Sequence, residues 1–82
     1  IFDPEGSEIY LKPAGNYVAL GQPVNFYTIA EAACARQEVA IGYRIRTLSK
    51  MKEKAYGVRV NPPKSELITL CDADKIIVLA EN

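Results

Sequence analysis

Histidine is missing from this 82-residue chain, and with it go the commonest general base and the commonest metal ligand. Catalytic triads built on an imidazole are therefore excluded within it. Cysteine is scarce: Cys34 and Cys71 are the only two, far below the disulfide density of a small secreted scaffold, so free thiols in a reducing cytosol are expected. They lack the paired spacing of a zinc site and read as small packing residues. Net charge is also missing, since ten basic side chains cancel ten acidic ones. No global field then exists to hold nucleic acid or an anionic membrane, and a nucleic-acid partner is not expected. No apolar run approaches the roughly 20 residues that span a bilayer, and no basic, apolar, small-residue leader is present. Gly15, Gly21, Gly42 and Gly57 are scattered, so there is no glycine-rich phosphate loop between a strand and a helix. The first residue is Ile1 rather than methionine, which reads as a piece excised from a longer protein, residues 1–7 being a linker remnant and residues 8–82 a single domain.

What is present is an ordinary globular composition, 49% hydrophobic and 24% charged. A domain of this size buries only about 60–65% of the surface its unfolded chain exposes, so its stability is expected to be modest. The stretch from Asn25 to Ile45 organises the rest. Phe26, Ile29, Ala30 and Ala33 recur at helical spacing and form one apolar stripe, with Asn25 placed to cap the first turn and Arg36 at the end favoured by the helix dipole. Val39, Ile41, Tyr43 and Ile45 then alternate and are expected to cover that stripe, leaving Ala40, Gly42, Arg44 and Arg46 on the opposite side of the strand.

Around this pair, Glu8 to Lys12 alternates as a short strand, residues 17–24 read as a loop packed on the core, and Tyr56, Val58 and Val60 mark another strand stopped by Pro62-Pro63. Ser65 to Leu70 is a weaker extended segment. The run Lys75 to Ala80 is apolar on consecutive residues, which places it centrally in the sheet. The expected fold is α+β: a small, mainly antiparallel sheet of about four strands with one principal helix on one face.

Three features bear on chemistry. Arg46 to Ala55 is locally basic and reads as a solvated hairpin loop, with contact to a phosphate or an acidic partner as alternatives. Asp72 and Asp74, with Glu66 nearby, suggest a weak calcium site against the plainer reading of a solvated acidic turn. The helix-free side of the sheet is the least ordinary. There Ala40, Gly42 and Gly57 leave little side-chain bulk while Arg44, Arg46 and Arg59 surround the area, a combination that suits close approach by another subunit or a flat anionic ligand. Arginines covering a wet sheet face are the alternative. Arg44, Arg59 and Asn61 are the candidate ligand contacts, with no catalytic or metal-binding residue and no cofactor.

The strings Val39-Ala40-Ile41-Gly42-Tyr43-Arg44, Tyr56-Gly57-Val58-Arg59-Val60-Asn61-Pro62 and Asp74-Lys75-Ile76-Ile77-Val78-Leu79-Ala80, in this order of elements, resemble the C-terminal subdomain of RCK or TrkA-C type regulators of potassium conductance. More narrowly they are similar to that region of the Castor and Pollux group of ion channels and its bacterial relatives. The likeness runs from about Glu8 to Ala80, and the family's usual Gly-Asp before the final strand is here Ala73-Asp74. It implies a non-catalytic, cytoplasmic, homodimeric regulatory module of a potassium channel or transport system. It also implies a small ligand or ion near the paired surface, which the sheet-face arginines make an anion, and a parent carrying a Rossmann-type subdomain and a membrane pore. A metabolite-sensing accessory domain of an enzyme is the alternative.

Overall fold

The computed structural model describes residues 7–48 and 50–81; most of the linker segment expected at the start, residues 1–6, lies outside them. The architecture is α+β. Strand β1 (Ser7–Pro13) is followed by β2 (Pro23–Asn25), helix α1 (Phe26–Ala35), β3 (Glu38–Arg44), β4 (Val58–Val60), β5 (Leu67–Thr69) and β6 (Lys75–Glu81). Four strands form an antiparallel sheet in the order β1-β6-β3-β4, and β2 pairs with β5 in a second, two-stranded sheet.

Helix α1 forms where the apolar stripe requires it. The Asn25 side chain accepts from the Thr28 backbone N–H at 2.9 Å and from the Thr28 hydroxyl at 2.8 Å, closing the first turn as a cap does. Phe26, Ile29 and Ala33 are buried with Tyr43, Ile76 and Val78 of the large sheet, Ile68 of the small one and Leu70 just beyond it. The helix stops at Arg36, and Gln37 follows with a left-handed φ of 62°. Strand β6 is the central element, flanked by β1 and β3, and its Ile76, Ile77, Val78 and Ala80 are buried.

Strand β3 departs from its sequence pattern. Ala40 pairs with Val78 but Gly42 pairs with Ile77, so Ile41 is the extra residue of a β-bulge. The bulge reverses which parity points inward. Tyr43 and Ile45 pack toward the core as expected, and so does Ala40, whereas Val39 lies on the open side, 48% exposed. Val39 and Ile41 therefore do not cover the helix, and Ala40 does not face away from it.

The two small residues on the supposed shallow face are also occupied, by the chain's own backbone. A Cβ on Gly42 would stand 2.0 Å from the Arg59 carbonyl oxygen, and one on Gly57 would stand 2.3 Å from that of Ile45. What comes close at these glycines is the returning chain. The connection between β3 and β4 consists of 3-10 turns at Arg46–Leu48 and Lys52–Gly57. Ala55, Tyr56 and Gly57 all take positive φ there (52°, 58° and 81°), so Tyr56 belongs to a left-handed turn and β4 begins only at Val58.

Candidate functional site

The register of the large sheet sorts its side chains into cross-strand rows, because directly paired residues project to the same side. On the helix side the rows are Glu8, Ala80 and Glu38; Tyr10, Val78 and Ala40; and Lys12, Ile76, Tyr43 and Arg59. On the open side they are Ile9, Leu79 and Val39; Leu11, Ile77, Gly42 and Val60; and Pro13, Lys75, Arg44 and Val58. Two of the open rows are wholly apolar. Among the described residues nothing covers their ends, for Ile9 is 67%, Leu11 50% and Val60 59% exposed.

The third open row carries two cations side by side. Arg44 and Lys75 are direct cross-strand partners, and with Arg46 and Ala73 they line a concavity of about 220 Å³. The Arg44 guanidinium is steadied by its Nε, which donates to the Tyr56 carbonyl at 3.3 Å. Among the described residues, none of these three cations has a carboxylate ion-pair partner. Asp74 is nearest in sequence, but it is buried and both its oxygens are used, one accepting from the Arg46 N–H and one from the Cys71 N–H, each at 2.9 Å. Its carboxylate builds the turn that carries Ala73 and Arg46 to the concavity.

Arg59 stands elsewhere. It pairs with Tyr43 in register, on the helix side of the sheet, and its Nη2 donates to Glu66 at 3.0 Å. Glu66 also accepts from the Tyr43 hydroxyl at 3.4 Å. Tyr43 and Arg59 border a separate hollow of about 160 Å³. Burial and the Glu66 charge together push the Tyr43 phenol above its ordinary range. The sequence grouping of Arg44, Arg46 and Arg59 around one shallow area is thus corrected: Arg44 and Arg46 converge, with Lys75, and Arg59 does not. Asn61 is exposed in a left-handed turn (φ 52°), its N–H donating to the bulged Ile41 carbonyl at 2.7 Å.

The acidic turn is likewise structural. Asp74 is committed to backbone donors and Glu66 to Arg59, and among the described residues no acidic or thiol cluster is arranged to hold a metal ion. Cys34 and Cys71 are both free and exposed, so neither is the packing residue that its sequence context suggested.

Lys75 is the site residue that sequence reading missed. It opens an apolar strand and reads as a flank; only the β3–β6 register sets it opposite Arg44.

No protein-family model matches the chain. Among described residues, no helix is long and apolar enough to cross a membrane. The chain is 32% identical over 79 residues, 96% of its length, to the Arabidopsis thaliana protein named "Probable ion channel POLLUX", and 35% identical over 63 residues, 77% of its length, to "Ion channel CASTOR" of Lotus japonicus. It spans 9% and 7% of those two proteins respectively, so the similarity is to one short region of each ion channel.

Proposed function

We propose that this chain is a non-catalytic regulatory module of an ion-conducting protein, a cytoplasmic unit that pairs with a second copy of itself and senses a small ligand. One observation carries the pairing: the open sheet face formed by Ile9, Leu11, Val39 and Val60 with Ile77 and Leu79 between them. Soluble monomers rarely gather so many exposed large apolar side chains on one face, and a domain this small gains core by sharing it. The surface differs from the arginine-bearing one suggested by sequence, because the bulge at Ile41 brings Val39 into it. Similarity to short regions of two proteins named as ion channels supports the setting. A parent of this kind joins the module to a Rossmann-type unit and a membrane pore. A ligand acts on such a pair only through unequal affinity for its subunit arrangements.

Sedimentation over micromolar to millimolar concentration tests the pairing. A dimer is expected for the chain, and monomers of unchanged far-ultraviolet circular dichroism for Val39→Lys and Leu11→Lys. Monomers of the unsubstituted chain at every concentration overturn it. The translated sequence upstream tests the setting: membrane spans followed by a Rossmann-type unit support a channel, and a catalytic domain in that place overturns it.

A further inference from the structure

We infer that the concavity of Arg44, Arg46 and Lys75 is a binding site for a phosphate-bearing anion of two or more negative charges. The inference deepens the ligand-sensing reading above and rests on it. Two independent features lead there. The first is the concavity itself, about 220 Å³ with three cationic side chains on its wall and, among the described residues, no ion pair to neutralise them. The volume suits one or two phosphoryl groups and leaves any larger part of the ligand outside. Two guanidinium forks fit phosphate oxygens in a way that a single ammonium does not.

The second feature is the cost of the arrangement to the free chain. Arg44 and Lys75 are like charges directly opposite on neighbouring strands, a pairing that destabilises a sheet. The fold nevertheless holds them there. Arg44 is tied through Nε to the Tyr56 carbonyl, and the backbone of Arg46 is tied to Asp74. Of the two carboxylates in the adjoining turn, Asp74 has both oxygens on backbone donors, and the exposed Asp72 forms no ion pair with Arg44, Arg46 or Lys75. An anion in the concavity supplies the negative charge that the protein omits.

The test is titration of the chain with pyrophosphate, followed by calorimetry and by backbone amide chemical shifts, against citrate as a carboxylate of similar charge. Saturable binding is expected, with shifts concentrated at Arg44–Thr47 and Ala73–Lys75. Affinity should fall about tenfold or more in Arg44→Gln and in Lys75→Gln, and stay within about twofold in Arg59→Gln. Both concavity variants remove a repulsive pair, so they should unfold at or above the parent's temperature without ligand, and a loss of binding then reports on the site. Vesicles of phosphatidylcholine containing phosphatidic acid separate the two sources of such a phosphate: chain left in the supernatant assigns a soluble ligand, and pelleting that pyrophosphate competes assigns a lipid headgroup.

Pyrophosphate binding that both concavity variants retain overturns the inference, as does tighter binding of citrate or no binding of pyrophosphate at millimolar concentration. A chain that pairs yet leaves pyrophosphate unbound overturns this site alone. One that binds pyrophosphate as a strict monomer keeps the site and overturns the pairing.

Discussion

Glu38 joins three segments that the backbone ladders leave apart. It is buried, yet it accepts from Lys12 of β1, from the Tyr17 hydroxyl at 2.6 Å, and lies 3.7 Å from Arg36 at the end of α1. Arg36 also stands 5.2 Å over the Tyr17 ring. Burial alone would raise the Glu38 carboxyl, but hydrogen bonds from Lys12 and Tyr17 and the Lys12 and Arg36 charges outweigh it and hold the group below its ordinary 4.5. A carboxyl lowered in the folded state stabilises above its unfolded pKa, and that contribution is lost as pH falls through the folded value. Tyr17 has the opposite dependence: burial first, then the Glu38 bond and charge, push its phenol from 10.0 to about 12. Its contribution is complete below pH 10 and disappears as pH rises through about 12. Urea unfolding across pH should therefore show stability falling below about pH 4.5 and again above pH 10. In Glu38→Gln the acid slope should flatten and neutral-pH stability drop by about 1–3 kcal/mol, the scale of a charged hydrogen bond. Gln37 predicts the reverse sign. It holds φ 62° just past the helix, where glycine carries no Cβ penalty, so Gln37→Gly should stabilise by about 0.5–1 kcal/mol in the same assay.

At the scale of elements, the bulge in β3 decides more than any single contact. It needs Gly42, because a Cβ there would meet the Arg59 carbonyl oxygen at 2.0 Å and the Val60 Cα at 3.0 Å, both of them backbone atoms that cannot swing aside. Gly42→Ala should destabilise by about 2 kcal/mol or more and selectively lower hydrogen-exchange protection of the β3–β4 pairs. Helix α1 was legible because ten residues display a whole stripe and Asn25 caps it by local bonding. Strand β6 was legible because an unbroken apolar run suits only a central place. The bulge was not, since Val39, Ile41, Tyr43 and Ile45 keep perfect alternation through it, and only the glycine inside the strand marks the break. Strand β2, three residues between Pro23 and Asn25, is too short to display any period. The cationic row was half legible. Arg44 lies on the helix-free side as its alternation implies, but Lys75 is joined to it by a long-range register that no local pattern encodes, and Arg59, expected on that same side, is set on the helix side by a register that the three residues of β4 are too few to display.

Across the whole molecule, the proposed pairing face and the proposed anion site are neighbours on one surface. The apolar row of Leu11, Ile77, Gly42 and Val60 is followed on the same side by Lys75, Arg44 and Val58. Pairing two such faces takes the cationic row out of water and brings positive charge on one copy toward its partner, a cost that falls if an anion already neutralises the row. Linkage then requires reciprocity: whatever factor the anion adds to pairing, pairing adds to anion affinity. The expected outcome is that saturating pyrophosphate tightens self-association about tenfold, a coupling of roughly 1.4 kcal/mol, within the usual range for linked sites. Sedimentation equilibrium with and without pyrophosphate reads it directly. In Arg44→Gln the baseline association should be tighter than in the parent, because one buried charge is gone, and pyrophosphate should no longer change it. Val39→Lys should separate the two events in the other direction, binding pyrophosphate as a monomer with the affinity of the unpaired parent. Equal self-association of the parent with and without a bound anion would mean that the row and the face act independently, and that occupancy of the concavity is not what sets the arrangement of the pair.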